Sequence, residues 1–203
     1  NLVNTVELRK RLATYGSVFQ TTSDTEVVAN LLARYSQDNK IEDALARCIM
    51  DAKGAFALLI MTEDRLVGVR DPMGIRPLCI GELNGNYILA SESAALDTVG
   101  ATLIRDVNPG EIVVIDQDGL HSRQVIDSPR RAHCIFEYIY FARPDSTIDQ
   151  VNVYQARREM GRQLARECNI DADMVISVPD SGTSSALGYA EEAGLPFEEG
   201  LMK

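Results

Sequence analysis

The sequence predicts an α+β domain of layered antiparallel sheets, followed by the opening of an α/β unit. Three observations carry this expectation. Apolar stripes at helical period run from Val6 to Ile49. Short apolar runs separated by Asn-Gly and Asp-Gly turns occupy the following stretch. From Asn152 onward, helix, strand, loop and helix succeed one another as in a parallel βαβ unit.

Each element has its own signal. Val6, Leu8 and Leu12 stripe a helix over 4–15 that Gly16 closes. Ser23, three residues before Glu26, reads as a capping box. The helix it opens carries Val27, Val28, Leu31, Leu32 and Tyr35 on one face. Ile41, Ala44, Leu45, Cys48 and Ile49 share a face of a third helix, which puts Cys48 in the core. Residues 54–61 and 66–69 are apolar enough for strands, and 78–81 and 87–90 flank Asn84-Gly85, a type I′ hairpin signal. Asn108-Pro109-Gly110 turns into a strand over 112–115, and Asp118-Gly119 turns again. The polar stretch Asp127-Ser128-Pro129-Arg130-Arg131 marks the expected boundary between domains 1–127 and 128–203. Beyond it, 135–141 reads as extended. A helix over 152–168 places Ala156, Met160, Leu164 and Cys168 at i+4 spacing. Residues 174–178 read as a short buried strand, and 184–193 as a helix closed by Gly194.

Composition removes several function classes. The 203 residues are 45% hydrophobic and 25% charged, an ordinary globular balance. No apolar run approaches the roughly 18 residues of a membrane span. Twenty basic against thirty acidic residues give a net charge of −10, a field that repels phosphate backbones and argues against nucleic-acid partners. Cys48, Cys79, Cys134 and Cys168 show no CxxC spacing, which suits a reducing cytoplasm better than a disulfide framework. The chain opens on Asn1 without a charged and then apolar leader, so no secretory signal is expected. His121 and His133 have no nearby nucleophile with an orienting acid, and neither GxGxxG nor GxxxxGK[ST] occurs.

Four segments could carry chemistry. Asp24, at a helix start, could hold a substrate ammonium group; its ordinary role there is to favour the helix dipole. Asp71-Pro72-Met73-Gly74-Ile75-Arg76-Pro77 is a rigid loop that could wall a pocket, or a structural turn in which Arg76 pairs an acid. Cys134 beside His133 makes no metal set by itself and reads as a packed thiol. Pro179-Asp180-Ser181-Gly182 follows a strand and opens a helix, where backbone N–H groups favour anions; hydroxyls there also serve simply as caps.

Taken together, Asn1-Leu2-Val3-Asn4, the run from Ser23 to Val27, Arg70 through Leu78, Ala90-Ser91-Glu92-Ser93 and, most specifically, Cys134 through Ser146 make the chain resemble the amidophosphoribosyltransferase family from end to end. The first three of these segments would also fit asparagine or glucosamine-6-phosphate synthases; the Cys134 block and VPDSG would not. The resemblance implies an N-terminal-nucleophile hydrolase domain of the class II glutamine amidotransferase type, then the start of a type I phosphoribosyltransferase domain. It implies that glutamine is hydrolysed and that ammonia converts phosphoribosyl pyrophosphate to 5-phosphoribosylamine. It assigns Asp24 to the glutamine α-amino group, Ser181 to the pyrophosphate and its Mg²⁺, and Cys134 to a [4Fe–4S] cluster. It further implies purine-nucleotide feedback inhibitors and a homotetramer.

The family's nucleophilic Cys and its oxyanion Asn-Gly are expected before Asn1, and its phosphoribosyl-pyrophosphate motif beyond Lys203. Residues 1–203 alone are therefore expected to carry neither activity. The alternative from another class is a noncatalytic regulatory or binding protein that keeps the fold.

Overall fold

The structure is a computed structural model that describes residues 1–37, 40–127, 130–168 and 170–202. In chain order the elements are α1 (Thr5–Ala13), α2 (Asp24–Tyr35), α3 (Ile41–Asp51), β1 (Ala57–Met61), β2 (Leu66–Arg70), β3 (Cys79–Leu83), β4 (Asn86–Ala90), α4 (Ser93–Val99), β5 (Thr102–Asp106), β6 (Glu111–Asp116) and β7 (Gly119–Gln124). A π-helical turn (Glu137–Phe141) follows, then β8 (Thr147–Ile148), β9 (Val151–Asn152), α5 (Val153–Glu167), β10 (Val175–Ile176), α6 (Thr183–Ala193) and β11 (Phe197–Glu198). They form two compact units. One is Asn1–Ser91 with Ala101–His133; the other is Glu92–Gly100 with Cys134–Lys203. The boundary expected at 127/128 falls on a stretch of which Ser128 and Pro129 lie outside the described residues.

The first unit is built in layers. β1-β2-β6-β7 form one antiparallel sheet and β4-β3-β5 a second. In β6, Ile112 and Val114 join a cluster with Leu8, Leu12, Val27, Leu31, Leu45 and Ile49 of the three helices. Val113 and Ile115, pointing the other way, join Leu78, just ahead of β3, and Ile80 and Leu89 of the second sheet. The central sheet is thus covered on both faces, and 112–115 reads as an unbroken apolar run rather than an alternating one. Between the sheets the fit is close: a Cβ on Gly68 would lie 2.8 Å from Leu89 Cδ1.

Several sequence expectations need correction. Val6 is 69% exposed, so α1 buries only Leu8 and Leu12. Ser23 caps α2 by accepting from Thr25 N–H at 3.2 Å. Glu26 does not close a capping box; it accepts the N–H groups of Gln20 (2.7 Å) and Thr21 (3.0 Å) instead. The first part of the 54–61 run is not strand. Val3 N–H donates to Lys53 O and Ala55 N–H to Asn1 O, so residues 53–55 pair with the first residues of the chain. Gly54 is at φ +138, and a Cβ there would sit 2.2 Å from Asn1 O, so only glycine permits the approach. The Asn84-Gly85 turn is as read, with φ of 53 and 82. Sequence reading passed over α4, β5 and β7.

Between β2 and β3 the chain forms a tight loop around Arg70 and Asp71, which are 1% and 0% exposed. The Asp71 carboxylate accepts the N–H groups of Met73 (3.0 Å), Ile75 (3.1 Å) and Arg76 (3.1 Å). Arg70 donates to the carbonyls of Arg76, Val107 and Gly74 at 2.9, 2.7 and 3.1 Å.

In the second unit, residues 135–141 are not extended. Ala142 N–H donates to Glu137 O, closing a π turn, and the buried Arg157 of α5 donates to the carbonyls of Tyr138 and Ala142. α5 is capped by Asn152, whose side chain accepts Gln155 N–H. Its buried face is Val153, Arg157, Gly161 and Ala165, one residue round from the expected stripe; Leu164 is 54% exposed and Cys168 is exposed too. The reason is backbone contact with α6: a Cβ on Gly161 would lie 1.9 Å from Ser185 O, and one on Gly188 would lie 2.0 Å from Arg158 O. β10 pairs in parallel with β11, as a βαβ unit requires, but its neighbourhood is not buried: Met174 and Val178 are exposed.

Two outcomes follow from this packing. Asp71→Ala leaves the N–H groups of Met73, Ile75 and Arg76 without their acceptor, and is expected to cost about 3–5 kcal/mol in urea unfolding; a loss under about 1 kcal/mol contradicts the role given to the loop. Gly161→Ala and Gly188→Ala are each expected to force α5 and α6 apart at a cost of about 1–3 kcal/mol. Limited proteolysis reads this as faster cleavage between residues 153 and 193, and unchanged protection contradicts it.

Candidate functional site

Asp24 is the first residue of α2 and is half-buried. Its two carboxylate oxygens are held by different donors. Leu2 N–H reaches Oδ2 at 2.7 Å, and the Thr5 hydroxyl reaches Oδ1 at 2.8 Å. Thr5 opens α1, so the starts of two helices meet at this acid. Arg9, one turn further along α1, donates to Ser23 O at 2.9 Å, stands 3.7 Å from Glu26, and lies over the Phe19 ring at 4.4 Å. Leu2 is itself placed by the pairing of residues 1–3 with 53–55, while the Asn4 side chain donates to Asp51 O and accepts Lys53 N–H. The Leu2 N–H bond, then the Thr5 bond, hold the Asp24 carboxyl below its ordinary range against the opposing effect of burial. A carboxylate has about four acceptor positions, so two remain for a cation such as an ammonium group.

Ser181 lies in the loop ahead of α6. Gly182 N–H donates to Val178 O and Thr183 N–H to Asp180 O, folding the loop back on the end of β10. Ser177 and Thr183 hydroxyls are 3.2 Å apart across it. Ser181 is half-buried and Asp180 exposed. Cys134 is half-buried with a free thiol; its carbonyl accepts Glu137 N–H at the start of the π turn. A [4Fe–4S] cluster takes four thiolates, and among the described residues no three His, Cys, Asp or Glu side chains come together as a metal would need. Cys134 with its described neighbours therefore does not make up a cluster site. Asp24 belongs to the first unit, and Cys134 and Ser181 to the second.

Sequence reading missed the residues that hold Asp24. Leu2 acts through its backbone, which no side-chain pattern reports, and Thr5 is separated from Asp24 by 19 positions. It also missed that Glu92-Ser93 and the Cys134 block meet within the second unit. The Glu92 carboxylate accepts Arg143 N–H at 2.9 Å and the Ser146 hydroxyl at 2.7 Å, while Ser93 Oγ accepts Thr147 N–H at 2.8 Å. Among the described residues no helix is long and apolar enough to cross a membrane.

Comparison with known proteins gives a consistent picture. Residues 1–98 match the glutamine amidotransferase domain family. Amidophosphoribosyltransferase of Archaeoglobus fulgidus is 48% identical over 204 residues, covering 100% of this chain and 45% of the relative. That of Bacillus subtilis is 47% identical, covering 100% and 42%. The solved structure of the B. subtilis glutamine phosphoribosylpyrophosphate amidotransferase, complexed with ADP and GMP, superposes with a TM-score of 0.96 at 47% identity, over 100% of this chain and 44% of that one. The chain thus spans less than half the length of these relatives.

The pH dependence of Asp24 has a definite sign. In the unfolded chain its carboxyl returns to the ordinary range near about 4. Its stabilisation is therefore fully present above about pH 4 and is lost as pH falls through the depressed folded value. Asp24→Asn is expected to flatten the loss of stability on acidification below about pH 4, measured by urea unfolding at several pH values; a slope identical to the parent protein's contradicts it.

Proposed function

This chain belongs to the amidophosphoribosyltransferase family, and from that membership we propose that the full-length protein catalyses the first step of de novo purine synthesis. Glutamine and water give glutamate and ammonia. The ammonia then attacks C1 of phosphoribosyl pyrophosphate, diphosphate leaves, and 5-phosphoribosylamine forms. The observation that supports this best is the end-to-end match to proteins of that name, joined to a backbone that superposes at a TM-score of 0.96.

In this reading Asp24 binds the α-ammonium of glutamine with the acceptor positions that Leu2 and Thr5 leave open. The ion pair orients the substrate and selects an amino acid over a neutral amide. Ser181 presents its hydroxyl beside the diphosphate at the start of α6, where N–H groups face the loop. Mg²⁺, when bound, offsets the charge that diphosphate carries away, and a hydroxyl oxygen is a suitable hard ligand for it. Cys134 supplies one thiolate toward a [4Fe–4S] cluster whose other ligands lie outside the described residues; no catalytic step runs through it. Residues 1–127 form the glutaminase domain and 128–203 the linker and first part of the phosphoribosyltransferase domain. The protein works in the cytoplasm as a homotetramer, and purine nucleotides inhibit it.

The test is diphosphate release by the full-length protein, with glutamine or ammonia as nitrogen donor. Both donors are expected to support it. Asp24→Asn is expected to raise the KM for glutamine roughly 10–100-fold, the worth of a lost hydrogen-bonded charge, while ammonia serves as the internal control. No diphosphate release with either donor overturns the reading; an unchanged glutamine KM in Asp24→Asn removes Asp24 from the site.

A further inference from the structure

Resting on the assignment of Asp24 to glutamine, we infer that Thr5 is a positioning residue for the substrate-binding carboxylate. Thr5 Oγ1 lies 2.8 Å from Asp24 Oδ1 and 3.0 Å from Leu2 O. A hydroxyl has one proton, and a carboxylate is the stronger acceptor, so the proton points to Asp24. The Leu2 carbonyl is then served only if the hydroxyl turns. The same residue, Leu2, gives its N–H to the other carboxylate oxygen at 2.7 Å. Leu2 and Thr5 therefore grip Asp24 from two sides and fix the plane of its carboxyl group.

This grip differs from the ordinary work of a threonine at a helix start. The cap residue of α1 is Asn4, and no side-chain cap bond is made there. Thr5 instead spends its hydroxyl on another helix. Asp24 lies in the first turn of α2, where its side chain would otherwise be free to rotate toward the N–H groups of that turn. Such a rotation would move the negative charge away from a bound ammonium. With Oδ1 and Oδ2 both tied, the two remaining acceptor positions have one orientation, and the ammonium meets a preorganised partner. Arg9, a nearby cation, is engaged with Ser23 O, Glu26 and Phe19.

Thr5→Val keeps the shape and removes the donor; Thr5→Ser keeps the donor. Glutaminase kinetics of the full-length protein are measured for both, with Asp24→Asn alongside. The expected result is a three- to ten-fold higher glutamine KM in Thr5→Val, with at most a two-fold change in kcat, and a return to within two-fold of the parent KM in Thr5→Ser. A KM in Thr5→Val within two-fold of the parent, while Asp24→Asn raises it, overturns the role of Thr5 and leaves Asp24 in place. An unchanged KM in Asp24→Asn overturns the underlying assignment instead. A fall in kcat that Thr5→Ser does not restore marks Thr5 as merely structural and also overturns the inference.

Discussion

The arrangement of the first unit depends on two adjacent side chains, Arg70 and Asp71, buried to 1% and 0% exposure at the end of a central strand. Placing an acid and a guanidinium there is costly unless each is surrounded by hydrogen-bond partners. Here the partners are backbone groups. The carboxylate collects N–H groups of its own loop and the guanidinium collects carbonyls from that loop and from Val107. Gly110 N–H adds bonds to both Arg70 O and Asp71 O. Gly74, at φ +64, brings the loop against Pro109 so closely that a Cβ would stand 2.7 Å from its ring. The pair thus fixes where β2 ends and where β3 and β6 begin.

That constraint reaches the candidate site through a short chain of contacts. Asp71 N–H donates to Phe56 O, and Asp71 Oδ2 accepts Phe56 N–H at 3.4 Å. Phe56 follows the segment 53–55 that pairs with residues 1–3. Leu2 in that pairing presents its N–H to Asp24. A rigid loop in the sheet layer therefore positions a carboxylate at a helix start, with two backbone pairings between them. On the helix side, Asp51 at the end of α3 accepts from Arg11 of α1 and Tyr35 of α2. Burial would raise its carboxyl, and the Arg11 and Tyr35 bonds overcome that and hold it low. The helices that carry Thr5 and Asp24 are thereby locked to one another at both ends.

Much of this was legible in the sequence, wherever a local rule decides the outcome. The three opening helices, the Asn84-Gly85 hairpin, the Gly110 and Gly119 turns and the Gly194 helix end follow from periodicity and from residues that tolerate positive φ. The sandwiched sheet was legible in part: 112–115 reads as a strand, but that its two faces meet different layers cannot be read from one strand. The failures share a cause. α5 has two stripes one residue apart, and the more apolar one, Ala156-Met160-Leu164, is the less buried: Ala156 and Met160 pack only in part against the cluster of Tyr138 and Val153, and Leu164 is 54% exposed. Gly161 and Ala165 win because small residues let α5 and α6 touch backbone to backbone, and ion pairs of Arg158 and Arg162 with Glu191 and of Arg166 with Glu192 line the seam. Residues 135–141 look like a strand by composition but turn back because Arg157, distant in sequence, satisfies the carbonyls that a π turn leaves open.

The candidate site shows the same division between local and distant signals. Asp24 could be singled out because its position at a helix start is a local fact. Its tuning could not, because it comes from a backbone N–H and a hydroxyl that tertiary structure brings in. The acid alone would be an unremarkable first-turn residue, stabilised by the α2 dipole and free to rotate. Oriented by Leu2 and Thr5, the same acid has a fixed direction and a lowered affinity for protons, the two properties that recognition of an ammonium group requires. What distinguishes a binding carboxylate from a capping one is therefore not its place in the helix but the number and direction of the donors already committed to it.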